Sequence, residues 1–202
     1  MHPAAAFRTT DAAELVRELR ARPFLTLAAA PRGAPLLAHA PVVVRDTPDG
    51  LALDFHLSRG NPLADHLAAG FRAVAAGLGP EGYVSPDWYA ASDQVPTWNY
   101  ILVEAEGPVA PLAEADLVAL LDDLTAQEEG RLAPKRAWTR GKMAPGRFEA
   151  MVRAVVGARL RVERLEGVFK LSQNKSEADR AGVIAALGAH PLAKRMGQAG
   201  PG

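Results

Sequence analysis

Between Phe24 and Leu57 three β-type segments follow one another with only Pro/Gly turns between them, and this order limits the fold more than any other feature. Phe24 to Ala30, Leu36 to Val44 and Leu51 to Leu57 are the segments; Pro31-Arg32-Gly33 and Asp46 to Gly50 are the turns. Parallel neighbours need a crossover of a dozen or more residues, so connections this short predict antiparallel pairing. The last segment, L-A-L-D-F-H-L, alternates apolar and polar residues as a half-buried strand does.

The rest of the chain continues the pattern. Phe71 to Leu78 reads as a fourth strand, Trp98 to Val109 as a fifth and Ala158 to Leu171 as a sixth. A helix runs from Thr10-Asp11 to about Arg22, with Asp11 as N-cap and Glu14 three residues on, a capping-box spacing. Asn61-Pro62 opens a short helix to about Ala69, with Asn as cap and Pro at the first helical position. Glu114 to Glu128 places Leu117, Leu120, Leu121 and Leu124 on one helical face. Phe148 to Val156 and Ser176 to Leu187 are further helices. Strands that run consecutively, with helices outside that run, predict an α+β fold built on an antiparallel barrel. Residues 1–190 read as a single domain, and 191–202 as a flexible tail.

Composition removes whole classes of chemistry. There are no cysteines, so disulfides, thiolate metal sites and cysteine nucleophiles are excluded. Five scattered histidines show no metal-ligand spacing. Lys plus Arg equals Asp plus Glu at 23 each, whereas a dedicated nucleic-acid binder usually carries a basic excess. The expectation is weak nucleic-acid affinity at most. No apolar run approaches a membrane span, and a cytoplasmic location is expected.

Tyr83 to Tyr100 holds all three tyrosines and two of the three tryptophans. Rings beside Ser, Asp, Gln, Thr and Asn suit a flat, partly polar ligand or a protein interface; a corner of the core is the alternative. Gly77 to Gly82 matches G-x-G-x-x-G, but the extended Tyr83-Val84-Ser85-Pro86 comes next, where the dinucleotide fingerprint needs a helix. It reads as a tight loop between strands.

His56-Leu57-Ser58-Arg59-Gly60-Asn61-Pro62 is a better anion site. A strand ends, a hydroxyl and a guanidinium follow, and a capped helix begins, whose amides and dipole attract phosphate. An ordinary strand-to-helix turn is the competing reading. Lys170-Leu171-Ser172-Gln173-Asn174-Lys175 ends the last strand, where alternation puts Lys170 and Ser172 on one face. By itself it reads equally as a solvated strand end. Residues 131–147 form a basic loop around Trp138 that suits a phosphate, a nucleic acid, an acidic partner or only solvent.

The motifs Y-V-S-P-x-W-Y…V-P-T-W-N-Y and K-L-S-Q-N-K, with H-A-P-V-V-V and H-x-S-R-G-N-P, resemble the PaiB-like family of FMN-binding transcriptional regulators. The resemblance runs from about Phe7 to about Leu187. It implies a split β-barrel, a homodimer and FMN as cofactor. It places the phosphate on Ser58, Arg59 and Asn61, and the flavin or substrate pocket on Lys170, Ser172 and Gln173, with His56 and Trp98 as further contacts. Trp88, Tyr89 and Trp98 are then expected in part at the dimer interface. The function it implies is a transcriptional regulator or flavin-linked sensor. A flavin-dependent oxidoreductase acting on a small molecule is the alternative, and a haem-binding relative, with His39, His56 or a residue of the basic loop as ligand, is a third.

Overall fold

The computed structural model describes residues 4–199. Eight strands and five α-helices occur in the order β1 (Arg8–Thr9), α1 (Ala12–Ala21), β2 (Phe24–Ala29), β3 (Leu36–Thr47), β4 (Gly50–Ser58), β5 (Phe71–Val84), β6 (Thr97–Pro111), α2 (Glu114–Arg131), α3 (Arg147–Val152), β7 (Val155–Arg161), β8 (Arg164–Lys170), α4 (Glu177–Leu187) and α5 (Pro191–Gln198). The strand order is β1-β8-β6-β5-β2-β3-β4-β7, and a further β6–β7 pairing closes a six-stranded antiparallel barrel. The sheet thus has no free edge along that ring.

Local signals explain much of this. Asp11 Oδ1 accepts from the amides of Ala13 and Glu14 at 3.0 and 3.1 Å, starting α1 where the capping pattern predicts. The short turns give antiparallel β2–β3 and β3–β4 pairs, with Leu25 opposite Ala40 and Val44 opposite Leu53. Ser176 Oγ accepts from Asp179 N and caps α4.

Other elements differ from the sequence reading. The segment read as one last strand is two, β7 and β8, broken at Val162-Glu163. There the chain bonds outward: Val162 N donates to Leu51 O and Glu163 N to Glu106 O. A Cβ on Gly107 would lie 1.8 Å from Arg161 O, so only glycine admits this approach. Gly77 to Gly82 lies inside β5 rather than in a loop, because β5 and β6 are longer than their apolar cores suggested.

The segment expected as a flexible tail is helical as far as Gln198, with Leu192, Ala193 and Met196 buried. His190 Nδ1 accepts from Leu192 N and Pro191 takes the first position, so capping and an apolar face outweigh the glycines. Residues 200–202 lie outside the described residues.

The chain divides into two compact units. One comprises Met1–Glu18, Gly77–Glu104 and Leu165–Gly202; the other comprises Leu19–Ala76 and Ala105–Arg164. In the second, α2 buries Leu117, Leu120 and Leu124 against Val43 and Val152. On the same unit Asp54, 2% exposed, is bridged by Arg45 of β3 and Arg159 of β7. No helix among the described residues is long and apolar enough to cross a membrane.

Candidate functional site

Four of the predicted site residues stand at the end of β4, in the unit that holds α2 and α3. Arg59 is exposed, but its position is fixed. Its amide donates to Ala154 O at 3.0 Å and its Nε to Arg153 O at 2.7 Å. These two bonds tie the β4 exit to the C-terminal end of α3. Among the described residues, the terminal Nη nitrogens of Arg59 and the guanidinium of Arg153 have no protein partner. Both arginines line a cavity of about 390 Å³ with Glu114, Leu67, Leu112 and Gly157. Two arginines against one carboxylate among the lining residues give the cavity a cationic excess, the charge a phosphate requires.

The turn itself differs from the expected phosphate cradle. Ser58 Oγ accepts from Gly60 N at 3.3 Å, and Asn61 Oδ1 accepts from Leu63 N at 3.0 Å. The turn leads into a six-residue 3-10 helix, Ala64–Ala69, in place of the expected capped α-helix. Leu63 N and Ala64 N are already bonded to Asn61, so the free amides of an α-helix N-terminus are missing here. Gly60 is not in a left-handed conformation, and a Cβ there would meet Ser58 Oγ at an ordinary 3.8 Å. The turn's own polar groups are thus engaged within the chain, and the cationic groups beside it are guanidinium groups.

His56 points elsewhere. It lines a second cavity with residues of α2, α3 and the basic loop. Its Nδ1 is buried with no hydrogen-bond partner among the described residues. Burial pushes the imidazole below its ordinary pKa, favouring the neutral ring. His39, the other histidine considered as a ligand, has Nδ1 bonded with Thr26 Oγ1 at 3.1 Å.

The remaining four predicted residues lie in the other unit. Trp98 is 54% exposed and meets Tyr83 edge-on, with ring centroids 6.3 Å apart. Lys170 Nζ donates to Thr97 Oγ1. Burial, and then the nearby charge of Lys175, hold its ammonium below the usual lysine range. Lys175 Nζ donates to Gln94 Oε1 at 2.6 Å and sits 5.0 Å over the Tyr89 ring.

Ser172 and Gln173 are engaged inside the fold. The strand ends at Lys170, and Ser172 takes a left-handed φ of 58°, so the expected alternation stops. Ser172 is 3% exposed and its Oγ accepts from Asn99 Nδ2 at 2.8 Å. Gln173 Oε1 accepts from Leu171 N, and its Nε2 donates to Phe169 O and Ala6 O. Tyr89, expected among the interface aromatics, is 8% exposed within the chain. Burial, opposed by its hydrogen bond with Ser172, raises its hydroxyl pKa.

Arg153 and Asn99 were missed by sequence reasoning. Arg153 comes after α3 in a stretch with no motif, and only the fold brings it to Arg59. Asn99 stood inside V-P-T-W-N-Y, and its Oδ1 is buried without a partner among the described residues. Among those residues no group of three or more His, Asp or Glu could hold a metal ion.

Known proteins share this sequence and this fold. The chain is 29% identical to "Protease synthase and sporulation protein PAI 2" of Bacillus subtilis over 194 residues, 95% of this chain and 92% of that protein. It is 32% identical over 120 residues to the uncharacterized protein AFUA_5G13800 of Aspergillus fumigatus, half of this chain and 46% of that protein. Among solved structures, the FAD and haem binding protein of Mycobacterium smegmatis superposes with a TM-score of 0.56 at 23% identity, covering 91% of this chain and 81% of that one. The flavocytochrome Anf3 of Azotobacter vinelandii gives 0.58 at 16% identity, covering 84% and 72%. At these identities the structures support the split-barrel fold alone. Residues 1–164 match the model of the family described as "Putative FMN-binding domain", and the chain belongs to this PaiB-like FMN-binding family, with FMN as its cofactor.

Proposed function

We propose that this protein is a homodimeric, flavin-linked regulator whose FMN phosphate is held by Arg59 and Arg153, with Ser58 and Asn61 shaping the turn. One observation carries the phosphate assignment: two partnerless guanidinium groups line one cavity of about 390 Å³, within the size range of small-molecule sites. Arg59 is pre-positioned by its bond to Arg153 O, so little side-chain freedom is lost when an anion arrives. Bound FMN supplies electron transfer, and the protein positions it and sets its surroundings.

Lys170 and Trp98 are the members of the other group that fit a ligand-facing role. Lys170, with its ammonium destabilised by burial and Lys175, presents a donor whose charge a neighbouring acceptor would stabilise. The dimer reading is supported by exposed apolar side chains, Val95 at 72% and Trp98 at 54%, of the kind that interfaces cover. The regulatory reading rests on the Bacillus relative's name. A direct grip on DNA has little support, because many arginines are already paired with carboxylates, among them Arg45, Arg72, Arg159 and Arg195.

The cavity at His56 favours a second reading, a flavin-dependent oxidoreductase with a small-molecule substrate. FMN and riboflavin titrations, followed by flavin fluorescence, test the assignment common to both. Tighter binding of FMN supports it. Equal affinities would remove the phosphate from the cavity. Light scattering tests the dimer, which a monomer at micromolar concentration would rule out.

A further inference from the structure

The loop from Arg131 to Arg147 holds six basic residues and no acidic one. Three of the six anchor it. Arg131 donates to Arg20 O and Ala21 O at 2.6 and 3.0 Å. Lys135 pairs with Glu129, whose Oε2 also accepts from Trp138 N at 2.7 Å. Arg140 pairs with Asp122 at 3.2 Å and lies 4.7 Å over the Phe148 ring. The other three are free of such ties. Arg136, Lys142 and Arg147 are exposed, and among the described residues none of them has a carboxylate partner. Lys142 Nζ makes a long bond of 3.4 Å to Ala137 O. Of the five acids between residues 120 and 150, Asp122, Asp123, Glu128 and Glu129 are paired. Glu149 alone is left to set against three cations.

The same unit carries an apolar cavity of about 330 Å³, whose lining includes Leu121, Trp138, Met143, Phe148 and Met151. Trp138 is 37% and Met151 57% exposed, so this lining reaches the surface. Each free cation stands within two residues of a lining side chain: Arg136 before Trp138, Lys142 before Met143 and Arg147 before Phe148. Exposed apolar area rimmed by polar groups marks an interaction site, and methionine adapts its shape to what packs on it.

We propose that this cavity and its rim dock an acidic segment of a partner protein. Apolar side chains of that segment enter the cavity, and its carboxylates meet Arg136, Lys142 and Arg147. The free cations set the sign of the partner and the apolar lining sets its class. A nucleic acid would answer the cations, but its bases would bring polar edges to a lining whose charged groups, Arg140 and Asp122, already answer each other. A single-headed amphiphile would leave two of the three cations unanswered. The surface does not rest on the phosphate assignment at Arg59.

The test is fluorescence anisotropy with a fluorescein-labelled peptide, E-D-L-E-D-L-L-D-E-F-E-D, whose leucines and phenylalanine recur at helical spacing. One control has Gln for every acid, and another has Ser for every apolar residue. Wild type is expected to prefer the parent peptide over the Gln control by roughly tenfold at low salt, the size of three exposed ion pairs together. Added salt is expected to shrink that preference. The triple variant Arg136→Gln/Lys142→Gln/Arg147→Gln is expected to lose the preference while binding the Gln control as wild type does. It alters exposed side chains alone, and a melting curve checks that it folds. Trp138→Ala is expected to weaken the parent and the Gln control alike, and the Ser control is expected not to bind. No binding of the parent peptide, or an undiminished preference in the folded triple variant, would overturn the proposal. So would tighter binding of a single-stranded oligonucleotide that the triple variant loses, by making the loop a nucleic-acid site.

Discussion

Arg59 Nε donates to the backbone carbonyl of Arg153 at 2.7 Å, across 94 residues of sequence. One bond therefore both fixes the Arg59 guanidinium and brings a second arginine to the same cavity. On the proposed assignment, Arg59→Ala would remove a charged hydrogen-bond partner of the phosphate, while its side chain is exposed and outside the core. The expected loss is about 1.5–3 kcal/mol of FMN binding, or about 10- to 150-fold in affinity. Riboflavin, which lacks the phosphate, is expected to lose much less. Two fluorescence titrations with a melting curve as control decide it. Unchanged FMN affinity in a folded variant would move the phosphate site elsewhere.

Asp54 is the second test, of stability rather than binding. It faces Arg159 directly across the β4–β7 ladder and accepts from its Nε and Nη2 at 2.6 and 2.8 Å, and from Arg45 Nε at 3.1 Å. Asp54→Ala leaves two guanidinium groups side by side without their shared carboxylate. Breaking a fully buried pair costs about 3–5 kcal/mol. Both arginines reach water, so about 2–3 kcal/mol is expected here. Urea denaturation measures it, and a cost under about 0.5 kcal/mol, typical of surface changes, would contradict the picture.

The pH dependence of stability carries a signature of His56. Burial lowers its folded-state pKa from the ordinary 6.5. The unfolded chain then binds the proton more readily than the folded one. The contribution of His56 is complete above pH 6.5 and is lost as pH falls from 6.5 toward the lower folded value. The charged groups that line the same cavity are Asp122 and Arg140, which pair with each other. His56→Leu is expected to flatten the loss of stability on that acid limb relative to wild type. Parallel pH profiles for the two proteins would show that the imidazole is not held neutral.

What was legible in the sequence was what is local. Asp11 starts α1 because its own side chain meets amides two and three residues on, and the β2–β3–β4 run results from turns too short for any other pairing. The break between β7 and β8 was not legible. It depends on Glu163 bonding Glu106 O and on the missing Cβ of Gly107, contacts made by chain 50 or more residues away. At the candidate site the same division holds. Arg59 stood in a motif and could be found, whereas Arg153 became a partner only when α3 folded beside β4. K-L-S-Q-N-K was found as a motif, but the left-handed turn at Ser172, which ends the strand alternation and engages Ser172 with Asn99 and Gln173 with backbone groups, cannot be seen in it.

DNA binding separates a direct regulator from an indirect one. With a net charge of zero and many arginines paired, affinity at physiological salt is expected to be no better than roughly 10⁻⁶ to 10⁻⁴ M, the range of nonspecific binders. Fluorescence anisotropy across promoter fragments and salt concentrations measures it. A salt-resistant nanomolar complex with one sequence would make the basic loop around Trp138 the first place to look for contacts.

The last expectation concerns the helix that replaced the predicted tail. Arg180, 7% exposed, donates from Nη1 to Leu171 O at 3.2 Å and from Nη2 to Met196 O at 2.7 Å and to Ala199 O. It thus joins the strand exit after β8 to the last carbonyls of α5, which have no partners inside the helix. Arg180→Met keeps the length and apolar stem of the side chain but removes every donor. Carbonyls left without partners cost about 1–3 kcal/mol each when buried. Those at the end of α5 can turn toward water if the helix loosens. Hydrogen exchange is therefore expected to show amides of α5 losing protection well before the strands of the barrel. If α5 stays as protected as in wild type, its docking depends on Leu192 and Met196 alone, and Arg180 serves only to close the turn at Leu171.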